Sequence, residues 1–263
     1  MKFYAIPPNK HLDIMDNGDN YFCLAHHFFQ DENYKQYFLN LRKNQPRAFI
    51  TLDNGAAEHS LVTEELLIEA VKELRPNEVI APDVLFDKQA TLANFYSFAD
   101  KMFYGDLLKR TAIFGCPQGS TKQEWVECYR EMVSHPFVKC IGLSKIAVPK
   151  CWNDATGDKL IGKSRNECVS TLRDQRLLYK PVHLLGMGEH TEFDFYLENK
   201  ISNIRSSDSC YTILAAMNGI SFEEGDTTRI PTENAYFDVE LNEDQKALSK
   251  KNIDYLKTKY RNV

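Results

Sequence analysis

The stretch that decides the fold is residues 111–143, TAIFGCPQGSTKQEWVECYREMVSHPFVKCIGL. It opens on the short apolar run Thr111–Phe114, continues through the amphipathic segment Lys122–Ser134, and closes on a second apolar run, Cys140–Leu143. Short apolar runs bounded by glycine and polar residues are typical of buried strands. Two such runs joined by a segment of helical length form a βα unit whose strands are parallel. The stretch therefore predicts an α/β protein.

The same alternation extends in both directions along the 263 residues. Other apolar runs predict strands at Phe3–Ile6, Tyr21–Ala25, Ala48–Leu52, Glu78–Ala81, Val182–Leu185 and Ile201–Ile204, with Gly219–Phe222 as a further candidate. Amphipathic segments predict further helices at Thr63–Leu74, Gln89–Phe103, Arg165–Leu178, Glu192–Asn199, Ser209–Met217 and Leu241–Tyr260. Repeated βα units in a chain of this length fit one closed (β/α)8 TIM barrel. An open doubly wound sheet is the alternative, but no GxGxxG turn follows the first strands.

We therefore predict a single domain over residues 1–263, with its core motifs in 20–220 and a closing helix in 241–262. Composition agrees with this, because 43% hydrophobic and 26% charged residues are ordinary values for a globular domain. No apolar run is long enough for a membrane span, and the N-terminal residues do not resemble a signal peptide. We expect a soluble, cytoplasmic protein with no membrane partner.

Charge and cysteine usage narrow the function classes. A net charge of −5 argues against a non-specific nucleic-acid coat protein, which would be basic, but it leaves open an enzyme with a local basic patch. The seven cysteines include no closely spaced pair, which argues against a cysteine-based zinc site. We expect buried or half-buried thiols without disulfides.

Polar residues follow several of the predicted strands. Asp53, Asp83 and Asp208 come at or after three of them, and the pair Gln118-Gly119 follows a fourth. Active sites of TIM barrels form at the carboxyl ends of the strands, so these residues should converge. Each also has a structural interpretation, since Asp-Asn-Gly is a common turn and the other two aspartates can cap a following segment. Their joint placement predicts an active site.

The order of these motifs resembles the tRNA-guanine transglycosylase superfamily over roughly residues 20–220. The resemblance rests on six segments, namely Leu52-Asp53-Asn54-Gly55, Ala81-Pro82-Asp83, Phe114–Gly119, Ile141-Gly142-Leu143, Pro181–Gly188 and Ile204–Ser209. Enzymes of this family exchange a purine base on a nucleic acid. The resemblance implies a TIM-barrel enzyme that uses no cofactor.

The resemblance also implies roles for individual residues. Asp208 falls where the family has its nucleophile, and Asp53 falls where it has the general acid/base. The implied base-binding residues are Asp83, Gln118, Gly119, Gly142, Leu143, Leu185 and Gly186. Some cations could contact phosphates, although a solvated surface role is the more common one for any single residue of this kind; they are Lys145, Lys150, Lys163, Arg165 and Arg205.

The chain departs from the family in three ways. The zinc motif of three cysteines and a histidine is missing, the Arg-rich tail is not visible, and Ala56-Ala57 occupy the place of a base-stacking aromatic. These departures fit the compact phage and bacterial DNA-guanine transglycosylases, which insert 7-deazaguanines such as preQ0 into DNA. We therefore expect DNA and a 7-deazaguanine base as substrates, no metal, a monomer, and room for a partner protein that engages DNA.

Three alternatives stay open from sequence. The first is the same chemistry on tRNA, and the second is a catalytically silent barrel that serves a partner as a binding subunit. The third is a metal-dependent TIM-barrel hydrolase that would use His26, His27, His183 and Asp208.

Overall fold

The structure is a computed structural model that describes residues 1–56, 62–157, 159–225, 230 and 235–262. Within these residues, eight parallel strands form one sheet in the order β1-β8-β7-β6-β5-β4-β3-β2, and the sheet curls into a nearly closed barrel. The strands are β1 (Lys2–Ala5), β2 (Tyr21–Leu24), β3 (Ile50–Asp53), β4 (Glu78–Ile80), β5 (Ala112–Gly115), β6 (Val138–Ser144), β7 (Val182–Leu185) and β8 (Ile204–Ser209). The predicted (β/α)8 TIM barrel is confirmed.

Helices surround the barrel. They are α1 (Ala25–Gln30), α2 (Glu32–Asn44), α3 (Glu64–Leu74), α4 (Lys88–Tyr104), α5 (Lys122–Ser134), α6 (Ala147–Asn153), α7 (Ile161–Asp174), α8 (Glu192–Glu198), α9 (Tyr211–Met217) and α10 (Glu243–Lys259). Side-chain caps mark the starts of α2, α3, α4, α5 and α10, as at Thr63, whose hydroxyl accepts the Leu66 N–H at 3.3 Å. None of the helices in these described ranges is long and apolar enough to cross a membrane.

The seam between β1 and β2 is the place where the barrel is not closed by strand pairing. Asp19 bridges it, because its carboxylate accepts the Phe3 N–H at 2.8 Å and its own N–H donates to the Phe3 carbonyl at 2.9 Å. The Tyr4 and Phe22 rings meet edge to face across the seam, with centroids 5.9 Å apart. Backbone groups of β1 are thus satisfied without a second partner strand.

The C-terminal helix replaces the helix that a regular βα unit would place after β1. Only the 3-10 segment Asn9–Asn17 follows β1, and α10 packs against that segment, β1 and α9. Asn242 and Gln245 form a capping box at its start. The N-terminal ammonium donates to the Tyr260 carbonyl at 2.8 Å. The predicted closing helix is confirmed.

Several predicted boundaries are wrong, and one matters for the site. The run Ile201–Ile204 predicted a strand that ends before Asp208, whereas β8 begins at Ile204 and contains Asp208. The interior of β8 is polar, so hydrophobicity could not reveal it. The run Gly219–Phe222 forms no strand. His26 and His27 lie in α1 rather than at a strand end.

Candidate active site

Asp208 lies near the carboxyl end of β8 and is 5% exposed. Its Oδ1 atom accepts two hydrogen bonds, from His183 Nε2 at 2.8 Å and from the Gly186 N–H at 3.0 Å. Its Oδ2 atom accepts no hydrogen bond within the described part of the chain. This oxygen is not fully buried, so it keeps some contact with solvent. One carboxylate oxygen is therefore fixed and the other is open to a ligand.

Asp53 is the last residue of β3. Its Oδ2 atom accepts the Gly55 N–H at 2.9 Å, in a turn where Gly55 adopts a φ of 75°. Asp53 and Asp208 both lie at the carboxyl end of the barrel, on the two strands that flank the β1/β2 pair. The structure therefore places two carboxylates at the same mouth, as the sequence predicted.

Asp83 follows β4 and is held by two amides. Asn54 Nδ2 donates to its Oδ1 atom at 2.6 Å, and Gln118 Nε2 donates to its Oδ2 atom at 2.6 Å. Burial raises the pKa of the Asp83 carboxyl, whereas the two amide hydrogen bonds oppose that shift. Asp83 is thus a fixed acceptor, and each of its oxygens keeps a lone pair for further donors.

Gln118 has a different place from the one that its sequence motif predicts. Its side chain is fully buried, its Nε2 atom donates to Asp83, and its Oε1 atom accepts the Phe86 N–H at 3.2 Å. Because both ends of the amide are engaged, Gln118 orients Asp83 and the loop after β4 instead of contacting a base itself. The expected direct contact from Gln118 is therefore corrected to an indirect one.

The glycines of the predicted base-binding set are required by packing. A Cβ atom on Gly142 would lie 2.5 Å from Leu185 Cδ1 and 2.7 Å from Phe114 Cε2. A Cβ atom on Gly119 would lie 2.5 Å from the Trp125 backbone nitrogen, at the start of α5. Close approach of neighbouring atoms explains both glycines without a ligand. Leu143 is fully buried in β6, so it can offer a base only backbone groups.

Gly186 and Arg165 shape the loop after β7. Gly186 adopts a φ of 69°, and its N–H points to Asp208. The guanidinium of Arg165 donates to the carbonyls of Leu143, Leu185 and Gly186, at 3.3, 3.3 and 2.7 Å. A peptide N–H points opposite to the preceding carbonyl. The hydrogen bond from Arg165 to the Leu185 carbonyl therefore orients this peptide so that the Gly186 N–H points toward Asp208.

Two of the five predicted phosphate-contacting cations are not available for that role. Arg165 is fully buried and makes a two-pronged ion pair with Glu192, with N–O distances of 2.7 and 2.8 Å. Arg205 lies at the opposite end of β8 from Asp208, where it pairs with Glu78 inside the barrel. Arg165 is thus buried and paired, whereas Arg205, whose side chain is 23% exposed, is paired at the end of the barrel opposite Asp208, so neither can contact a phosphate at the mouth. Both predictions are wrong.

The three lysines remain nearer the surface. Lys145 follows β6 and its side chain packs against Gly186, which sets it beside Asp208. Lys150 in α6 pairs with Asp154, and Lys163 in α7 lies in an outer groove of about 680 Å³. Of the predicted cations, Lys145 is the one adjacent to the loop that binds Asp208.

His183 is the functional candidate that the sequence interpretation placed only in the hydrolase alternative. It is fully buried at the centre of the barrel, stacked on Phe22 at 5.8 Å and edge to face with Tyr4 and Phe114. Burial lowers the pKa of its imidazole, against the raising influence of Asp208. In the sequence, the signal for His183 was that it is the one polar residue in the otherwise apolar strand Val182–Leu185.

The four residues of the hydrolase alternative do not converge. His183 and Asp208 lie inside the barrel, whereas His26 and His27 lie in α1 and pack on Phe237. Among the described residues, no group of three His, Cys, Asp or Glu side chains is arranged to hold a metal ion.

The fold and the site together define the chain as a TIM barrel with carboxylates at the carboxyl end of its strands. No protein-family model matches its sequence, and no curated protein does so either.

Proposed function

We propose that the chain is a base-exchange glycosyltransferase that replaces guanine in DNA by a 7-deazaguanine such as preQ0. One observation carries the proposal: Asp208 presents one open carboxylate oxygen at the mouth while its other oxygen is held by two donors. A carboxylate fixed in this way is suited to attack at a sugar carbon. The resemblance of the motif order to the transglycosylases supports the same reaction.

The first half-reaction breaks the bond between the sugar and the guanine. Asp208 Oδ2 attacks the anomeric carbon C1′ and forms an ester bond, while the C1′–N9 bond breaks and its electron pair stays with the base. Asp53, as the carboxylic acid, gives its proton to the departing base. This division of roles parallels retaining glycosidases, in which one carboxylate is the nucleophile and a second group handles the proton.

The second half-reaction reverses these steps with a new base. Asp53, now a carboxylate, takes the N9 proton of the incoming 7-deazaguanine. The N9 atom then attacks C1′, and Asp208 leaves as a carboxylate. No oxidant, reductant or cofactor is needed, because one N-glycosidic bond is broken and another is made.

Base selection is assigned to Asp83. Guanine and its 7-deaza analogues present an N1–H and an exocyclic amine on one edge, and a carboxylate can accept both. Adenine presents a lone pair at N1 instead of an N1–H, so it would set two acceptors against each other at the Asp83 carboxylate. Asn54 and Gln118 fix the direction of the Asp83 oxygens through hydrogen bonds of 2.6 Å.

The nucleotide must leave the base stack before Asp208 can reach its C1′ atom. Flipping a base from a duplex costs a few kcal/mol, so single-stranded or mismatched DNA is the better substrate. Lys145, whose side chain packs against Gly186, is the cation that we assign to a phosphate near the reacting sugar. The net charge of −5 fits transient engagement through such a local contact and leaves room for a partner protein.

The test is base exchange with labelled guanine and labelled preQ0, each offered with single-stranded DNA, duplex DNA and unmodified tRNA. Label entering DNA supports the proposal. Label entering tRNA alone would keep the chemistry and overturn the DNA substrate. Label entering no nucleic acid with either base would contradict the proposed function.

A further inference from the structure

A continuous line of polar side chains runs through the barrel interior behind Asp208. From the mouth downward it comprises Asp208, His183, Ser206, Arg205 and Glu78. The contacts are His183 Nε2 to Asp208 at 2.8 Å, His183 Nδ1 to Ser206 Oγ at 2.7 Å, and Arg205 Nε to Ser206 Oγ at 3.2 Å. Barrel interiors are usually filled by branched apolar residues, so a polar line calls for an explanation.

The direction of each hydrogen bond follows from the two ends of the line. As a carboxylate, Asp208 can only accept, so His183 Nε2 carries a proton and donates it to Asp208. In a neutral ring, Nδ1 is then the acceptor. Arg205 can only donate, so Ser206 Oγ accepts from it and keeps its own proton to give to His183 Nδ1. The acceptor at one end and the donor at the other thus both favour the tautomer of His183 that carries its proton on Nε2.

The charged groups around His183 are consistent with a neutral ring. Asp208 and Glu78 favour its protonation, while Arg205 and burial among Tyr4, Phe22 and Phe114 oppose it. Burial is the largest influence and lowers the pKa of His183. A neutral imidazole with Nε2–H leaves Asp208 its negative charge, which a nucleophile needs.

The lower end of the line is anchored across the barrel floor. Arg205 donates to both oxygens of Glu78, at 2.9 and 2.5 Å, and Thr51 donates to Glu78 at 3.0 Å. Arg205 is the extra residue where the register of β7 and β8 shifts, since Val182 pairs with Ile204 but His183 pairs with Ser206. A bulge re-aims side chains, and here it brings both Arg205 and Ser206 into the line.

We propose that His183 is a positioning residue, locked by Ser206 and Arg205 as the Nε2–H tautomer, which holds Asp208 by Oδ1 so that Oδ2 faces the substrate. The inference rests on the proposed function for the role of Asp208, but the proton positions do not depend on it. Any reaction at this mouth would meet a carboxylate oriented in the same way.

The chain offers a matched pair of variants for the test. Ser206→Ala removes the hydroxyl that donates to His183 Nδ1. Ser207→Ala removes a neighbouring, equally buried hydroxyl on β8 that donates to the Leu184 carbonyl and does not touch the line. Each substitution deletes one buried hydroxyl. A difference between the two variants therefore reflects the contact of Ser206 with His183 and not simply the loss of a buried hydrogen bond.

The first readout needs no activity. In histidine-labelled protein at neutral pH, nitrogen NMR should show a His183 ring that is neutral with its proton on Nε2, in the unsubstituted protein and in Ser207→Ala. Ser206→Ala should add the Nδ1–H or doubly protonated form. The signals of His183 are assigned by their absence from His183→Gln. A wild-type ring protonated on Nδ1 would overturn the inference whatever the activity.

The second readout is base exchange. Ser206→Ala should lower kcat about tenfold with KM for the base unchanged, because one hydrogen bond behind the nucleophile is lost. Ser207→Ala should stay within about twofold. His183→Gln, whose amide can still donate to Asp208, should retain more activity than His183→Phe. Equal kcat values for the two serine variants would contradict the positioning role, whereas absence of exchange in the unsubstituted protein would contradict the proposed function alone.

Discussion

Asp208 and Asp83 are two carboxylates in one barrel mouth, and their surroundings give them different capabilities. Asp208 is held by His183 and Gly186 on one oxygen and is open on the other, so it can form a bond. Asp83 is held by an amide on each oxygen and can only accept further hydrogen bonds. The proposed division between nucleophile and base selector follows from these contacts.

The raised pKa of Asp83 predicts how base binding depends on pH. Burial raises this pKa, so the carboxyl takes up a proton at a higher pH than an ordinary aspartate does. The protonated form loses a charge-assisted acceptor, so KM for the free base should rise roughly 10- to 100-fold as pH falls through the raised pKa. Steady-state kinetics at a series of pH values measures this.

Asp83→Asn is the control for that profile, because an amide at this position does not titrate. The variant should show a high KM at every pH and a weakened preference for guanine-like bases. A pH dependence of KM that is the same in the variant and in the unsubstituted protein would remove Asp83 from base binding.

The ion pair between Arg165 in α7 and Glu192 in α8 ties two helices to the loops after β6 and β7. Both side chains are fully buried in the pair, and Arg165 also donates to three backbone carbonyls, those of Leu143 and Leu185 near the ends of β6 and β7 and that of Gly186 in the loop after β7. Losing one partner removes the opposite charge that lies 2.7 Å from the other in the buried pair. The pair therefore matters both for stability and for the direction of the Gly186 N–H.

Arg165→Met should lower the free energy of unfolding by roughly 3–5 kcal/mol. Arg165→Met combined with Glu192→Met should cost less than the sum of the single changes, because no lone charge remains. Arg173→Met, an exposed arginine on the same helix, should change it by about 0.5 kcal/mol or less. Urea denaturation compares the unsubstituted protein with Arg165→Met, Glu192→Met, the double variant and Arg173→Met. An Arg165→Met midpoint equal to that of Arg173→Met would show that the buried pair does not stabilise these loops.

The elements show where sequence patterns suffice and where they do not. The bounds of β7 were predicted correctly because the sequence Val182–Leu185, which is apolar apart from His183, lies between a proline and a glycine. The α5 segment was likewise predicted because its apolar face and its Thr121 cap are local signals. Both kinds of signal lie within the element itself.

β8 and its surroundings could not be predicted in this way. Its interior residues Ser206 and Asp208 are polar because they bind His183 on the neighbouring strand β7, which is 23 and 25 residues away in the sequence. Arg165 has the composition of a surface cation, and only its burial against Glu192 reveals its place. Partners distant in sequence decide both cases, and one sequence does not display them.

At the scale of the whole molecule, residues near the N-terminus and the C-terminal helix complete the barrel around β1. Asp19 bridges the β1/β2 seam, and α10 covers the side of β1 where no regular helix follows. The seven cysteines all lie in the described part of the chain, where none forms a disulfide; five are buried, and Cys151 and Cys210 are half-buried. The expected thiols without disulfides are confirmed.

Thiol reactivity therefore reports the integrity of the barrel. Burial raises the pKa of the Cys128 thiol to about 11 and of the Cys151 thiol to about 12, so neither is reactive as a thiolate near neutral pH. A disulfide reagent should label at most the two half-buried thiols in the native protein, with Cys210 ahead of Cys151, whose raised pKa slows it, and all seven cysteines in denaturant. Cys151→Ser and Cys210→Ser assign the fast sites. Rapid native labelling of three or more thiols would contradict the described packing.

The central claim is that Asp208 forms a covalent bond to the sugar, and intact-mass spectrometry tests it most directly. The protein is mixed with single-stranded DNA, quenched rapidly in denaturant, and compared with Asp208→Asn, which keeps an oxygen for His183 and Gly186, and with the exposed-site control Asp100→Asn. The account predicts an adduct with the mass of the DNA strand less guanine in the unsubstituted protein and in Asp100→Asn. Asp208→Asn should show no adduct and an exchange rate lower by on the order of 10³-fold or more. An adduct of undiminished yield in Asp208→Asn would contradict the account.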